Sequence, residues 1–155
     1  PVLATDRFNN ANSAYYFDNS IPAFGTIENK LSDNYSIAFW LFTTQEGIAG
    51  STWFNGSSVI SAESTGCVED FGCALVGNGV LQAGIGANDD CNPLGVNTTS
   101  SLNNSQWKFI VITREKSSGK VEVFVNGTRE NSLNTHTNDI SFPGKIGFGG
   151  DLNHI

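Results

Sequence analysis

Glu69-Asp70 and Asp89-Asp90 are two pairs of adjacent carboxylates, each set in a polar, turn-rich stretch of the chain. Hard cations such as Ca2+ take oxygen ligands from flexible loops, which makes these four residues candidate metal ligands. Solvated acidic loops are the competing reading, and the acidic residues do not follow an EF-hand spacing. Trp53 and Phe54 lie in the Gly/Ser/Asn-rich run TWFNGSS. A flat aromatic face beside amide and carboxylate groups is suited to stacking on a sugar ring. Asn88, next to the second carboxylate pair, offers such an amide, so Trp53, Phe54 and Asn88 are the candidate ligand-binding residues. Packing of Trp53 as a loop anchor competes with ligand stacking. Trp40 and Trp107 fall in strand-like runs and read as core.

The same residue types argue against catalysis. Glycoside hydrolysis needs two positioned carboxylates. Glu63 stands alone at a strand end, and Glu122 has no carboxylate two residues away on its face. His136 and His154, the 2 histidines, have no Cys or His partner at zinc-site spacing. A Gly-x-Ser-x-Gly nucleophile elbow is missing as well. The expectation is a protein that is not an enzyme, with no catalytic residue to assign.

The elements that must hold these residues are strands. From Gln106 to Glu130 the chain reads QWKFIVITREKSSGKVEVFVNGTRE. Trp107, Phe109, Val111 and Thr113 alternate with Lys108, Ile110, Ile112 and Arg114; Val121, Val123 and Val125 alternate with Glu122, Phe124 and Asn126. Period-2 alternation of β-branched and aromatic residues marks sheet strands, and Lys116–Lys120 is a polar, Gly-containing turn of hairpin length. Phe109–Ile112 is apolar on both faces, which places this strand centrally in a sheet. Further strands are expected at Ser13–Asp18, Tyr35–Thr43 (the most hydrophobic, read as buried on both faces), Val59–Glu63, Cys73–Gly77, Val80–Ile85 and Lys145–Gly149. Asn78-Gly79 is a hairpin signal. Pro22 leaves Ile21–Ile27 as irregular or an edge strand. Gly86–Asn104 and Asn131–Asp139 read as loops, and no amphipathic helix of useful length occurs.

The 155 residues suit one domain, 1–155, able to bury a core. A 15% charged fraction lies below the usual quarter, and Gly, Asn, Ser and Thr fill the difference, as in a β protein with long polar loops. The net charge of −7 with only 8 Lys plus Arg excludes a basic nucleic-acid footprint and disfavours anionic membrane surfaces. No apolar run approaches the ~20 residues of a membrane span. The opening at Pro1, without a signal peptide, reads as a mature fragment or excised domain. Five Asn-x-Ser/Thr sequons occur, at Asn34, Asn55, Asn97, Asn103 and Asn126.

Alternating strand directions place the loops Ser64–Gly72 and Gly86–Asn104 at one end. Cys67, Cys73 and Cys91 lie on or beside them, which suits an oxidising compartment. Cys91 can pair with Cys67 or Cys73, or Cys67 with Cys73 across the short loop. The favoured pairing is Cys67 with Cys73, leaving Cys91 free or paired outside the chain.

DRFNNANSAYYFDNS, YSIAFWLFT, VIS, Gln106-Trp107 leading into FIVITRE, VEVFVNGT and KIGFGG occur in that order. Together they resemble the bacterial laminin-G-like, concanavalin-A-like family, over nearly the whole chain. The resemblance implies an all-β jelly-roll sandwich of two antiparallel sheets. It also implies a secreted or surface-displayed binding module recognising glycan through rim loops, with calcium as a candidate ion. A structural or adhesive subunit that binds protein is the alternative. Asp18, in YYFDN, joins the candidate calcium ligands because the family often holds a calcium near its N-terminal strand. Hydrolases of this sandwich carry Glu-x-Asp-x-x-Glu on one strand, and the pattern is missing here. The family's last strand, resembling F-x-G-x-I-D-x-V-R-I-Y, has no counterpart around Asp151–Ile155. The expectation is a sheet edge completed by a strand from another chain or segment.

Overall fold

A computed structural model describes residues 1–18, 24–87, 91–92, 94–140 and 144–150. Its architecture is two facing antiparallel sheets and a separate hairpin, with no helix beyond one 3-10 turn, Lys116–Ser118, among the described residues. None of these residues forms a helix long and apolar enough to cross a membrane.

The first sheet is built on the expected hairpin. β9 (Lys108–Glu115) and β10 (Lys120–Val125) pair from Lys120 opposite Glu115 to Val125 opposite Ile110. Ile110, Ile112, Val121, Val123 and Val125 point inward and are buried. β9 is central, as its two apolar faces require: β4 (Tyr35–Leu41) flanks it on one side, and β10 with β11 (Thr128–Asn134) on the other. β11 corrects the loop expected at Asn131–Asp139. Asn126 and Gly127 both take positive φ, 52° and 83°, the geometry of a two-residue hairpin turn. The strand leaving that turn, TRENSLN, lacks apolar alternation because it is an exposed edge.

The second sheet runs β3 (Gly25–Glu28), β12 (Lys145–Phe148), β5 (Ser57–Ser61), β6 (Phe71–Leu75), β7 (Leu81–Ile85) and β8 (Gly95–Asn97). β6 and β7 join through Asn78-Gly79 as expected, with Leu75 opposite Leu81. β3 is the edge strand that Pro22 allowed. β8 lies inside the expected long loop; three residues are too few for a visible period. Phe71, Cys73, Leu75, Leu81, Ala83, Ile85 and Val96 face the first sheet and fill one core with its inward residues. Tyr35 meets Phe71 across it, ring centroids 5.3 Å apart. One flank of the sandwich is laced by side chains. Glu130 accepts hydrogen bonds from the Thr99 and Ser100 amides (2.8 and 3.0 Å), and the Asn131 amide donates to the Asn97 carbonyl.

The other flank differs. The apolar run of β4 predicts burial on both faces, yet among the described residues β4 pairs with β9 alone. Its outer face carries Trp40, 41% exposed, and just beyond it Phe42. Trp40 and the half-buried Trp107 are therefore not core; they pair with Phe109 and Phe42 on an open sheet face. The N-terminal hairpin, β1 (Val2–Ala4) with β2 (Ala14–Tyr16), forms its own two-stranded sheet. It reaches Trp40 through the Arg7 guanidinium, 4.0 Å from the indole centre.

Candidate functional site

β5 to β8 run as an antiparallel meander, so the loop 62–70 after β5 and the loop 86–94 after β7 emerge together, as the alternation of strands required. A disulfide joins them, Cys67 to Cys91, with Cα atoms 5.0 Å apart. This corrects the Cys67–Cys73 pairing. In β6 the inward residues are Phe71, Cys73 and Leu75, so Cys73 is turned between the sheets, 1% exposed, away from the rim. Burial pushes its thiol up to about 12, and it is inert as a nucleophile.

The loop between β4 and β5 folds over this end of the second sheet. Thr52 and Asn55 close a turn, the Thr52 amide donating to the Asn55 side-chain oxygen at 2.7 Å. The Trp53 amide donates to Gln82 Oε1 at 2.8 Å, and Gln82 Nε2 donates to Asn97. The indole lies on the outer face of the sheet over a row of glycines. Gly72, Gly84 and Gly95 are register neighbours on β6, β7 and β8. A Cβ on Gly84 would stand 2.1 Å from Trp53 Cδ1, and one on Gly72 3.4 Å from Cε3. Gly72 and Gly84 make the trough in which the indole sits, 5% exposed, while the space at Gly95 is taken by the Gln82 side chain that holds the Trp53 amide. Its Nε1 is buried without a hydrogen-bond partner. Phe54 packs edge-on against it, centroids 5.6 Å apart, and remains 37% exposed.

These parts enclose a cleft of about 210 Å³. Trp53 and Phe54 line it from one loop; Glu63, Gly66, Cys67, Val68 and Asp70 from the second; Gly86, Ala87, Cys91 and Asn92 from the third. The structure thus brings together Trp53, Phe54 and Asp70 from the sequence-derived candidates. It adds Glu63, which sequence alone leaves without company. Asp70 is buried and ties the loops to each other: its Oδ2 accepts from the Ser64 amide at 2.9 Å, and its carbonyl from the Gly86 amide at 2.9 Å. Only a glycine fits at 86, since a Cβ there would meet Asp70 Oδ1 at 2.1 Å. Glu69 is half-buried on the same loop but does not line the cleft, and Asp18 is exposed beyond β2, outside it. Asn88, Asp89, Asp90 and His154 lie outside the described residues. Among the described residues no three His, Cys, Asp or Glu side chains come together as a cation site, so Glu63 and Asp70 supply at most part of a calcium shell.

A buried cation supports the rim from below. Arg114, in the inward register of β9, donates to the carbonyls of Asp33, His136 and Asn138. Asn138 Nδ2 in turn donates to the Gly86 carbonyl at 3.0 Å. A wider, shallower depression of about 480 Å³ lies over Ser36, Thr113, Lys120 and Glu122 of the first sheet. There Glu122 is engaged by Lys120 (2.9 Å) and Arg129 (3.0 Å), which hold its carboxyl below the usual range.

The family profile of the concanavalin A-like lectin/glucanases superfamily, laminin G type, matches residues 18–152. No curated protein matches the chain. Domains LG4-5 of the mouse laminin alpha1 chain superimpose with a TM-score of 0.67 at 15% identity, over 90% of this chain and 34% of theirs. A heptameric SAP-like pentraxin from Limulus polyphemus gives 0.56 at 14% identity, over 83% of this chain and 56% of its own. The binding domain of botulinum neurotoxin DC, in complex with SialylT, gives 0.53 at 15% identity, over 86% and 35%. The chain thus spans between a third and somewhat over half of the length of these structures, and the likeness is one of fold.

Proposed function

The chain belongs to the concanavalin A-like lectin/glucanases superfamily, and we propose that it serves there as a non-catalytic, extracellular module that binds glycan in the rim cleft. One observation carries the reading: an exposed aromatic, Phe54, a buried indole and the carboxylates of Glu63 and Asp70 converge on one cleft pinned by the Cys67–Cys91 disulfide. An apolar ring face beside convergent polar groups is the usual make-up of a sugar site. The complex of the botulinum neurotoxin domain with SialylT supports the reading by showing the fold in a binding role. The disulfide supports an extracellular or cell-surface location. Calcium belongs to this proposal as an assisting ion drawing on Glu63, Asp70, Asp89 and Asp90. A glycan array probed with the chain and with its Phe54→Ala variant tests it: binding to a defined set of sugars, lost in the variant, is expected. Equal signals from both proteins would sink the reading.

The open flank supports a second reading, a structural or adhesive subunit whose sheet is completed by a strand from a partner. Among the described residues β4 has one unpaired edge and β2 pairs with β1 alone. Such edges are templates for an added strand, and a lone two-stranded hairpin is marginal in water. In the isolated chain the outward amides of β4 should then exchange with solvent far faster than those of β9, and slow down in the assembled state. Equal protection of the two strands in the isolated chain would remove this reading.

A further inference from the structure

All eight lysines and arginines fall before Leu31 or after Trp107. The 77 residues between contain seven carboxylates and no cation, so this stretch carries the whole net charge of −7. It supplies β4 to β8, the three rim loops and every residue lining the cleft. We infer that the rim cleft takes one uncharged sugar ring at the end of a glycan and rejects sialylated or sulfated ones, an inference that rests on the glycan-binding reading above.

Charge, hydrogen bonding and size all select such a ring. Glu63 and Asp70 line the cleft, and Glu69 lies on the same loop. An anion there meets like charge from the lining itself, which carries no guanidinium or ammonium; Arg114, beneath the rim, is turned to the carbonyls of Asp33, His136 and Asn138. Next, recognition of a neutral ring needs donors and acceptors rather than charge. The carboxylates on the lining accept from ring hydroxyls. Phe54 offers its face to the C–H side of the ring. Last, the volume of about 210 Å³ is below the ~300 Å³ at which drug-sized clefts begin, so one ring enters and the remaining glycan leads out past Phe54.

The test is calorimetric titration with N-acetyllactosamine, cellobiose and chitobiose, and with sialylated and sulfated N-acetyllactosamine, with calcium and with chelator. The same titrations are run on Phe54→Ala, Glu63→Lys and Glu63→Gln. At least one neutral sugar should bind, roughly tenfold or more tightly than its anionic counterpart, and Phe54→Ala should abolish that binding. Glu63→Lys should narrow the gap, and Glu63→Gln should narrow it less. Anionic sugars binding as tightly as neutral ones, with Phe54→Ala removing both, would overturn the inference and leave the glycan-binding reading standing. Glycan binding that Phe54→Ala leaves intact would overturn both.

Discussion

The indole of Trp53 stands where a side chain at residue 84 would be: a Cβ on Gly84 would lie 2.1 Å from Cδ1 and 2.2 Å from Nε1. A rim residue from one loop is thereby seated against β7, and the cleft inherits the rigidity of the sheet. Gly84→Ala should evict the indole. Overpacking of this kind costs about 1–3 kcal/mol, and the variant should lose sugar binding and show the Trp53 contribution to its emission shifted to the red, Trp40 and Trp107 being unaffected. Unchanged stability and emission in Gly84→Ala would show that the trough is not what holds Trp53.

The disulfide is the second support of the cleft. Cys67 and Cys91 are 24 residues apart, and closing a loop of that size stabilises a fold by about 3 kcal/mol in the chain-entropy account. Cys67→Ser should lower stability by roughly that amount, and weaken sugar binding more than a stability loss alone explains, because the two rim loops are freed from each other. Alkylation checks the pairing. The native, unreduced protein should take up no reagent, since Cys73 is buried with its thiol pushed up to about 12. The denatured, unreduced protein should take up one equivalent, at Cys73. Modification at Cys91 instead would break the assignment.

Local pattern discloses much of this fold, and what it misses is non-local. Val121, Val123 and Val125 alternate so cleanly that their inward face is readable, and Asn78-Gly79 announces its own turn. Asn126-Gly127 is the same signal, masked by its place at the end of a strand and by the polar sequence of β11 that follows. Alternation also shows that Trp40 shares a face with Ala38, but not whether that face has a cover, which depends on what lies beside β4. Trp53 is the opposite case. Its flanking Gly, Ser and Asn suggest an exposed loop, yet it is buried, because Gly72 and Gly84 come from two strands and become neighbours only once the register is set. The cysteines follow the same logic: the inward register of Cys73 decides their pairing. Alternation puts Arg114 on the inward face with Ile110 and Ile112; the three carbonyls that receive it come from distant segments.

Glu130 makes the fold acid-sensitive at a defined place. Partial burial favours its protonated form, but hydrogen bonds from Ser100 and Thr99 to the carboxylate outweigh that and lower its pKa from 4.5. A carboxyl depressed in the folded state adds stability above its unfolded value, and that stability is lost as pH falls through the folded one. Glu130→Gln should therefore cost about 1–2 kcal/mol at neutral pH, the low end for charged hydrogen bonds at a partly solvated site, or roughly 2–8 °C in Tm. The gap between the two proteins should close as pH drops below about 4.5. A gap of constant size from pH 7 to pH 3 would assign the loss to packing instead.

Calcium is settled most directly by thermal unfolding with millimolar Ca2+ and with chelator. An ion held only by the native state raises Tm in proportion to the logarithm of its concentration above Kd, about 2.7 kcal/mol at a hundredfold excess. The described residues bring two carboxylates, Glu63 and Asp70, to the cleft, and Asp70 is occupied in part by the Ser64 amide. In the calcium-assisted reading we propose, Asp89 and Asp90 add carboxylate ligands, beside the carbonyl and water oxygens that calcium also takes. A rise of several degrees is expected in calcium, absent in Asp89→Asn and Asp90→Asn and retained in Asp18→Asn, since Asp18 does not line the cleft. Loss of the shift in Asp18→Asn alone would move the ion to the N-terminal hairpin and away from sugar binding. No shift in the unaltered chain would leave a calcium-independent cleft, in which hydroxyl groups meet the Glu63 and Asp70 carboxylates directly. Sugar affinity should then be the same in calcium and in chelator.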